Sequence, residues 1–168
     1  MGNHEHEKLA SASLRLGVMT FTDTRDESSD KSGGILKEML AAAGHKITGY
    51  RVVREDPELM RQALAEWLQS AEFDAVITNG GTGLTARDST VEVARSFFKK
   101  EMEGFGEIFR LISYHQIGAA AMLSRACAGV VGDKMLICLP GSSKAVRLAT
   151  ARLIVPQLPH MIWEVRRQ

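Results

Sequence analysis

Ala-Val-Ile-Thr-Asn-Gly-Gly-Thr-Gly-Leu-Thr-Ala-Arg-Asp-Ser-Thr, residues 75–90, is the segment from which the architecture of the chain is most readily read. Its apolar, β-branched start at 75–78 stops at glycines, which is typical of a buried strand that enters a tight loop. Glycines permit positive φ and leave backbone N–H groups open to a ligand, and threonine hydroxyls add hydrogen-bonding groups. These loop residues are Thr78, Gly80, Gly81, Thr82, Gly83 and Thr85. The spacing matches neither a P-loop nor Gly-x-Gly-x-x-Gly, so it supports a ligand loop and an ordinary strand-to-helix turn equally.

Asp88 is the only acidic residue of this segment. A carboxylate beside a phosphate-accepting loop is explained if a cation such as Mg²⁺ lies between them, or if the carboxylate caps the next helix. Ser89 and Glu92 have the spacing of a capping box, which predicts that the next helix begins there. Both explanations of Asp88 stay open at this point.

Two strand–helix units precede this segment. Residues 14–20 and 47–53 read as strands, and residues 35–43 and 57–70 read as the helices that follow them. Three such units predict a mostly parallel sheet with helices on both faces. Further along, apolar runs at 126–131 and 135–139 flank Gly132-Asp133, which predicts an added antiparallel hairpin. The predicted fold is a three-layer α/β/α domain.

A second glycine loop, Pro140-Gly-Ser-Ser-Lys144, follows the last predicted strand and precedes a helix. A helix N-terminus of this kind can accept an anion. Asp30 and Ser32 after the first strand, and the acidic pair at 55–56 after the second, are either helix caps or ligand contacts. Open α/β sheets bind ligands at the carboxyl ends of their strands, so we expect these loops to share one pocket.

Composition narrows the class of protein. The chain has 168 residues, 45% of them hydrophobic, and predicts one domain over residues 14–168 after a flexible leader at 1–13. A net charge of +1 gives no basic patch for nucleic acid or for an anionic membrane. Cys127 and Cys138 lie in apolar runs, and no stretch has the length of a membrane span. We therefore expect reduced thiols in a cytoplasmic protein.

Four blocks together carry a family resemblance. They are TNGGTGLTARD at 78–88, EGFGEIFR at 103–110, Ile117-Gly with Leu123-Ser-Arg-Ala, and LPGSSKA at 139–145. In this order they closely resemble the MoaB/MogA family of molybdenum cofactor biosynthesis, and the resemblance covers residues 14–158. The block at 103–110 is closer to the MoaB branch than to MogA.

The resemblance implies a three-layer α/β domain that assembles as a homotrimer or homohexamer and binds molybdopterin at the strand ends. In the adenylyltransferase branch, the terminal phosphate of molybdopterin attacks the α-phosphate of Mg-ATP, giving adenylylated molybdopterin and pyrophosphate. Such chemistry depends mainly on positioning and on charge neutralisation. Some MoaB-branch proteins have the fold and pocket without clear transferase activity, so a molybdopterin-binding carrier is the alternative.

The resemblance also implies site residues. Asp88 matches the family's functional aspartate, and Glu55 lies where the family's other aspartate is expected, with Asp56 beside it. These three are the candidate catalytic residues, and Asp88 and Glu55 are the candidate Mg²⁺ ligands. The implied molybdopterin-binding and ATP-binding residues are Asp30, Ser32, Gly33, Thr78, Gly80, Gly81, Thr82, Gly83, Pro140, Gly141, Ser142 and Lys144. We further expect self-assembly through Ala119–Ala121 and the apolar face near Phe105 and Phe109, or that these residues are buried within the chain.

Overall fold

A computed structural model describes residues 13–167, so residues 1–12 of the predicted leader lie outside the described part. The elements, in chain order, are β1 (Arg15–Phe21), α1 (Lys31–Ala42), β2 (Lys46–Val53), α2 (Pro57–Gln69), β3 (Ala75–Asn79), α3 (Thr90–Arg95), β4 (Lys100–Glu101), α4 (Glu103–Ile117), a 3₁₀ segment (Gly118–Leu123), β5 (Cys127–Val131), β6 (Lys134–Leu139), α5 (Ser143–Ala149), a π-helical segment (Thr150–Ile154) and α6 (Val155–Arg166). The predicted alternation of strands and helices is confirmed.

The six strands form one sheet in the order β2-β1-β3-β6-β5-β4. β2, β1, β3 and β6 run parallel, whereas β5 runs antiparallel to both of its neighbours, as the hairpin signal predicted. The chain leaves β1 toward β2 on one side and later enters β3 on the other. The carboxyl ends of β1 and β3 are therefore the topological switch point, where sheets of this kind bind ligands.

Helices cover both faces of the sheet. Side chains of β1 show this directly, because Leu16 and Val18 belong to one buried cluster and Met19 and Phe21 to the other. The first cluster packs against α1, α4, α5 and α6, and the second packs against α2 and α3. Strands buried on both faces explain why these segments read as continuous apolar runs.

Two details differ from the sequence prediction. α1 begins at Lys31 because the Asp30 carboxylate caps it by accepting the Gly33 N–H at 3.0 Å. The helix after the second glycine loop runs on to Arg166 through the π-helical segment. Pro156 has no N–H to donate to the Arg152 carbonyl four residues earlier, which explains the local change of helix type.

Phe105 and Phe109 are buried in the core, so of the two alternatives for these side chains the structure shows burial within the chain. The exposed apolar face of α4 is formed instead by Ile108, Leu111 and Tyr114. The cysteines are confirmed as free and buried, and they face each other across β5 and β6. No helix among residues 13–167 is both long enough and apolar enough to cross a bilayer.

Candidate functional site

A cleft of about 320 Å³ opens at the carboxyl ends of β1, β3 and β6. It therefore lies at the switch point of the sheet. The loops after all four parallel strands reach it, as the sequence predicted for the two glycine loops. Its lining residues are Phe21, Thr22, Arg25, Glu55, Gly80, Gly81, Thr82, Gly83, Asp88, Leu123, Ser124, Pro140 and Gly141.

The glycine loops are shaped by close backbone contacts. Gly80 has φ +94°, and a Cβ at this position would stand 2.1 Å from the Phe21 carbonyl oxygen. Gly81 has φ +61°, and a Cβ there would stand 2.4 Å from the Thr90 hydroxyl. Thr90 fixes the loop through two hydrogen bonds. Its hydroxyl donates to the Gly80 carbonyl at 2.9 Å, and its N–H donates to the Gly81 carbonyl at 3.0 Å. Only glycine satisfies both the φ values and these contacts.

One wall of the cleft is acidic. Glu55 and Asp88 line it, and the Asp23 carboxylate beside them accepts the Glu55 N–H at 3.1 Å. Burial, together with the negative charges of Asp23 and Asp88, raises the pKa of Glu55 above its ordinary value. The three carboxylates are therefore electrostatically coupled, and a cation between Glu55 and Asp88 would relieve the repulsion.

Asp88 also organises its own loop. One carboxylate oxygen accepts both the N–H of Thr85, at 3.0 Å, and the Thr85 hydroxyl. These hydrogen bonds, led by the one from the Thr85 hydroxyl, lower the pKa of Asp88, so it is ionised at neutral pH. The N-cap position of α3 belongs to Ser89, whose side chain makes no capping hydrogen bond. The capping box predicted for Ser89 and Glu92 is therefore wrong.

Glu92 pairs with Arg125 instead of capping the helix. The Arg125 guanidinium also donates to the Thr82 carbonyl at 3.1 Å and to the Asp88 carbonyl at 3.3 Å. Arg125 thereby ties both ends of the Thr82–Asp88 loop to the start of β5. The sequence analysis included Arg125 in the resemblance block Leu123-Ser-Arg-Ala but assigned it no role, because the residue precedes a strand and lies in neither glycine loop.

Arg25 is the only cation among the cleft-lining residues. Its guanidinium donates to the Ser32 hydroxyl at 3.2 Å, and Ser32 in turn donates to the buried Asp30 carboxylate at 2.9 Å. Burial alone would raise the pKa of Asp30, but hydrogen bonds from Thr20, Gly33, Tyr50 and Ser32 together lower it. Ser32, itself hydrogen-bonded to Asp30, thus positions the Arg25 guanidinium. The only sequence signal for Arg25 is that it is the one basic residue in the loop between β1 and α1.

The remaining predicted residues lie outside the cleft lining. Asp56 caps α2 by accepting the N–H groups of Glu58 and Leu59, so of the acidic pair it is Glu55 that faces the cleft. Thr78 is fully buried within β3. Ser142 caps α5 by accepting the Ala145 N–H at 3.1 Å. Gly33 lies within α1, and Lys144 lines a different groove.

The acidic wall fits Mg²⁺ held jointly by protein and substrate. Within residues 13–167 there is no cluster of three or more histidine, cysteine or acidic side chains placed to hold a metal unaided. Mg²⁺ is usually held by one or two carboxylates together with substrate phosphates and water. The Glu55 and Asp88 carboxylates on one wall supply that number of protein ligands.

Known proteins match both the sequence and this architecture. The model of the family described as "Probable molybdopterin binding domain" matches residues 14–160. Molybdenum cofactor biosynthesis protein B from Bacillus cereus is 48% identical over 165 residues, which are 98% of each chain.

Two solved structures superpose on the whole domain. A crystal structure of molybdenum cofactor biosynthesis protein B has a TM-score of 0.91 and 48% identity, covering 94% of this chain and 99% of that one. The tungsten cofactor synthesizing protein MoaB from Pyrococcus furiosus has a TM-score of 0.84 and 34% identity, covering 92% and 98%. With the fold, the sequence blocks and these relatives in agreement, the chain belongs to the molybdopterin binding domain family and resembles its MoaB members.

Proposed function

We propose that this protein binds molybdopterin in the cleft and adenylylates it with Mg-ATP, releasing pyrophosphate. The observation that carries the proposal is the meeting of two glycine loops, one arginine and two carboxylates at a single cleft. Both substrates are anionic phosphate compounds with a heteroaromatic ring. Glycine loops, a cation and a carboxylate-held metal are the groups that such substrates need.

The amides of the first glycine loop are available to phosphate. Among the described hydrogen bonds, the N–H groups of Gly81 and Thr82 donate to nothing within the chain. They border the cleft with no side chain at Gly81 in the way. Two such N–H groups, held by the fixed loop, can donate hydrogen bonds to a phosphate oxygen without reorganising.

The charged residues of the cleft have two different roles. Arg25, held by Ser32, supplies positive charge for a phosphate group. Glu55 and Asp88 would hold Mg²⁺, which neutralises phosphate charge when bound. No side-chain nucleophile is required, because the phosphate of molybdopterin is itself the attacking group. The protein therefore acts by holding two phosphates in line and by stabilising their charge.

An Asp88→Asn variant tests the proposal. Asparagine keeps an oxygen that can accept the Thr85 N–H, so the loop and the thermal stability should be retained. Pyrophosphate release from ATP, Mg²⁺ and molybdopterin should fall by about 100-fold or more, as expected when a group that stabilises developing charge is removed. Asp133→Asn, in the hairpin between β5 and β6, is the matched control and should turn over normally. Unchanged turnover in Asp88→Asn rejects the assignment.

A carrier without transferase activity is the second candidate. The cleft volume of about 320 Å³ is at the lower end of the range for a single small-molecule site. That size favours one occupant at a time rather than molybdopterin and ATP together. Under this reading, wild-type protein binds molybdopterin but releases no pyrophosphate, and Asp88→Asn leaves the affinity for molybdopterin almost unchanged.

We also propose a homotrimeric or homohexameric assembly in the cytoplasm, in which other cofactor-biosynthesis proteins are partners. The exposed apolar face of α4 supports self-association, because Ile108, Leu111 and Tyr114 are 49%, 60% and 58% exposed. Three large apolar side chains on neighbouring turns of one helix form a patch of the kind that other subunits cover.

A further inference from the structure

A groove separate from the cleft lies between the end of α4 and the helical run that begins with α5. Its volume is about 650 Å³, twice that of the cleft. The groove and the cleft lie on either side of one loop, because Pro140 and Gly141 line the cleft whereas Lys144 lines the groove.

The groove carries three positive charges and no negative one. Lys144, Arg147 and Arg152 line it, and its lining includes no acidic residue. Across residues 13–167, none of these three side chains forms an ion pair, whereas Arg51 pairs with Glu66 and Arg95 with Glu101, each at 2.8 Å. Three unpaired cations around one concave surface create a positive potential that attracts anions.

The spacing of the cations indicates how the anion is built. Eight residues separate Lys144 from Arg152, which is about 12 Å along the helical run. Arg147 lies between them on the adjoining turn. Three cations spread along such a run match a ligand with several negative charges in a row better than they match a single phosphate or carboxylate. Lysine and arginine are the usual partners of phosphate in proteins.

The floor of the groove is apolar. Ile117, Leu148 and Ala151 line it between the cations, and the side chain of Ile117 is 51% exposed. An apolar floor of this kind suits the ring of an organic ligand more than a bare inorganic anion. Ala151 and Arg152 belong to the π-helical segment, a local geometry that is frequent at functional sites.

We propose that this groove is a second ligand site that binds an organic polyphosphate, such as a nucleoside triphosphate, separately from the cleft. The phosphates lie along Lys144, Arg147 and Arg152, and the base lies on Ile117 and Leu148. This inference does not depend on the transferase chemistry proposed for the cleft.

Calorimetric titration of the full-length protein with ATP, without Mg²⁺, tests the proposal. The double variant Arg147→Glu/Arg152→Glu should bind ATP at least about tenfold more weakly, since two charge-assisted contacts are lost and two repulsive charges are added. The control Lys46→Glu/Lys99→Glu makes the same change in charge at exposed lysines outside both sites and should bind within about twofold of wild type. Inorganic tripolyphosphate should bind more weakly than ATP, because it leaves the apolar floor uncovered.

Two further arms separate the groove from the cleft and from self-association. Arg25→Ala removes the cation of the cleft, so binding of ATP at the groove should persist in that variant. If Arg25→Ala abolishes ATP binding and the groove variant does not, the groove proposal fails and the cleft proposal stands. If wild type binds ATP in the groove but releases no pyrophosphate, the groove proposal stands and the transferase proposal for the cleft fails. A groove variant that changes the mass in sedimentation but not the ATP affinity shows that a second copy fills the groove, which also overturns the proposal.

Discussion

A Cβ at Gly141 would stand 3.1 Å from the Cα of Gly80, so the turns after β6 and β3 are in backbone contact. The two loops are 60 positions apart in the chain, yet they form one rim. Gly80 also donates its N–H to the Leu139 carbonyl at 3.1 Å. The rim of the cleft is therefore fixed by backbone atoms, and its shape depends on the absence of side chains at these two positions.

Gly80→Ala should destabilise the protein more than Gly44→Ala. The φ values are nearly the same, +94° and +90°, so both substitutions bear a backbone penalty of roughly 1–2 kcal/mol. At Gly44 the added Cβ meets no atom within 4 Å, whereas at Gly80 it meets the Phe21 carbonyl. Urea denaturation of both variants isolates the steric contribution. Equal losses would show that the contact with Phe21 relaxes freely.

Arg25→Ala should weaken binding of the phosphate-bearing substrate by about tenfold, because one charge-assisted contact is lost. Arg25→Lys should recover part of that affinity. Ser32→Ala removes the hydroxyl that positions the guanidinium and should raise KM with little change in kcat. Titration and steady-state kinetics measure both effects. A Ser32→Ala variant with normal KM would mean that Arg25 is positioned without Ser32.

Glu55→Gln should stabilise the protein at pH 7 and abolish activity. The folded state raises the pKa of Glu55 above its reference value of 4.5, so ionisation destabilises the fold. The penalty grows as the pH rises through the folded pKa, and it is absent below about pH 4. With solvent screening the gain at pH 7 should be below about 1 kcal/mol. Urea denaturation of Glu55→Gln and of wild type at pH 4 and pH 7 measures this gain. The same difference in unfolding free energy at both pH values would contradict the electrostatic cause.

Asp56→Asn is the comparison that separates the two neighbouring acids. Asparagine caps helices as well as aspartate does, so α2 and the stability should be retained. Because Asp56 caps α2 and does not line the cleft, pyrophosphate release should also be retained in this variant, in contrast to Glu55→Gln. Loss of activity in Asp56→Asn alone would assign the functional carboxylate to position 56.

Leu111→Arg should lower the mass of the assembly. Leu111 is 60% exposed on α4, so an arginine there disturbs only a contact between copies and not the core. Leu59→Arg, at a 43% exposed leucine of α2, is the matched control and should keep the mass of wild type. Light scattering at micromolar concentration measures both variants. A monomeric wild type would refute self-association outright.

The sequence predicted the sheet because buried parallel strands leave a local signal. β3 and β6 each read as a short apolar run that ends in glycine, and Gly132-Asp133 marks the hairpin. The meeting of the two glycine loops then follows from the rule that parallel strands end at the same edge. These features depend on residues close together in the chain.

The missed features depend on contacts between distant residues. Arg125 reaches the Thr82 carbonyl across 43 positions of sequence, and no local pattern announces that hydrogen bond. The same contact removes Glu92 from its predicted capping role, since an ion pair with Arg125 competes with the cap. Likewise, only the packing of α4 shows that Phe105 and Phe109 face inward while Leu111 faces out.

The two oxygens of the Asp88 carboxylate are not equivalent, and this has a consequence for ion discrimination. Oδ2 already accepts two hydrogen bonds from Thr85, and the Gly83 N–H adds a backbone hydrogen bond to this carboxylate. A cation approaching this carboxylate thus meets oxygens whose capacity is already partly used by hydrogen bonds, most of all at Oδ2. Ca²⁺ has a higher coordination number and often takes both oxygens of a carboxylate, whereas Mg²⁺ is satisfied by one. A threonine that never touches the ion would in this way help to exclude calcium from the cleft.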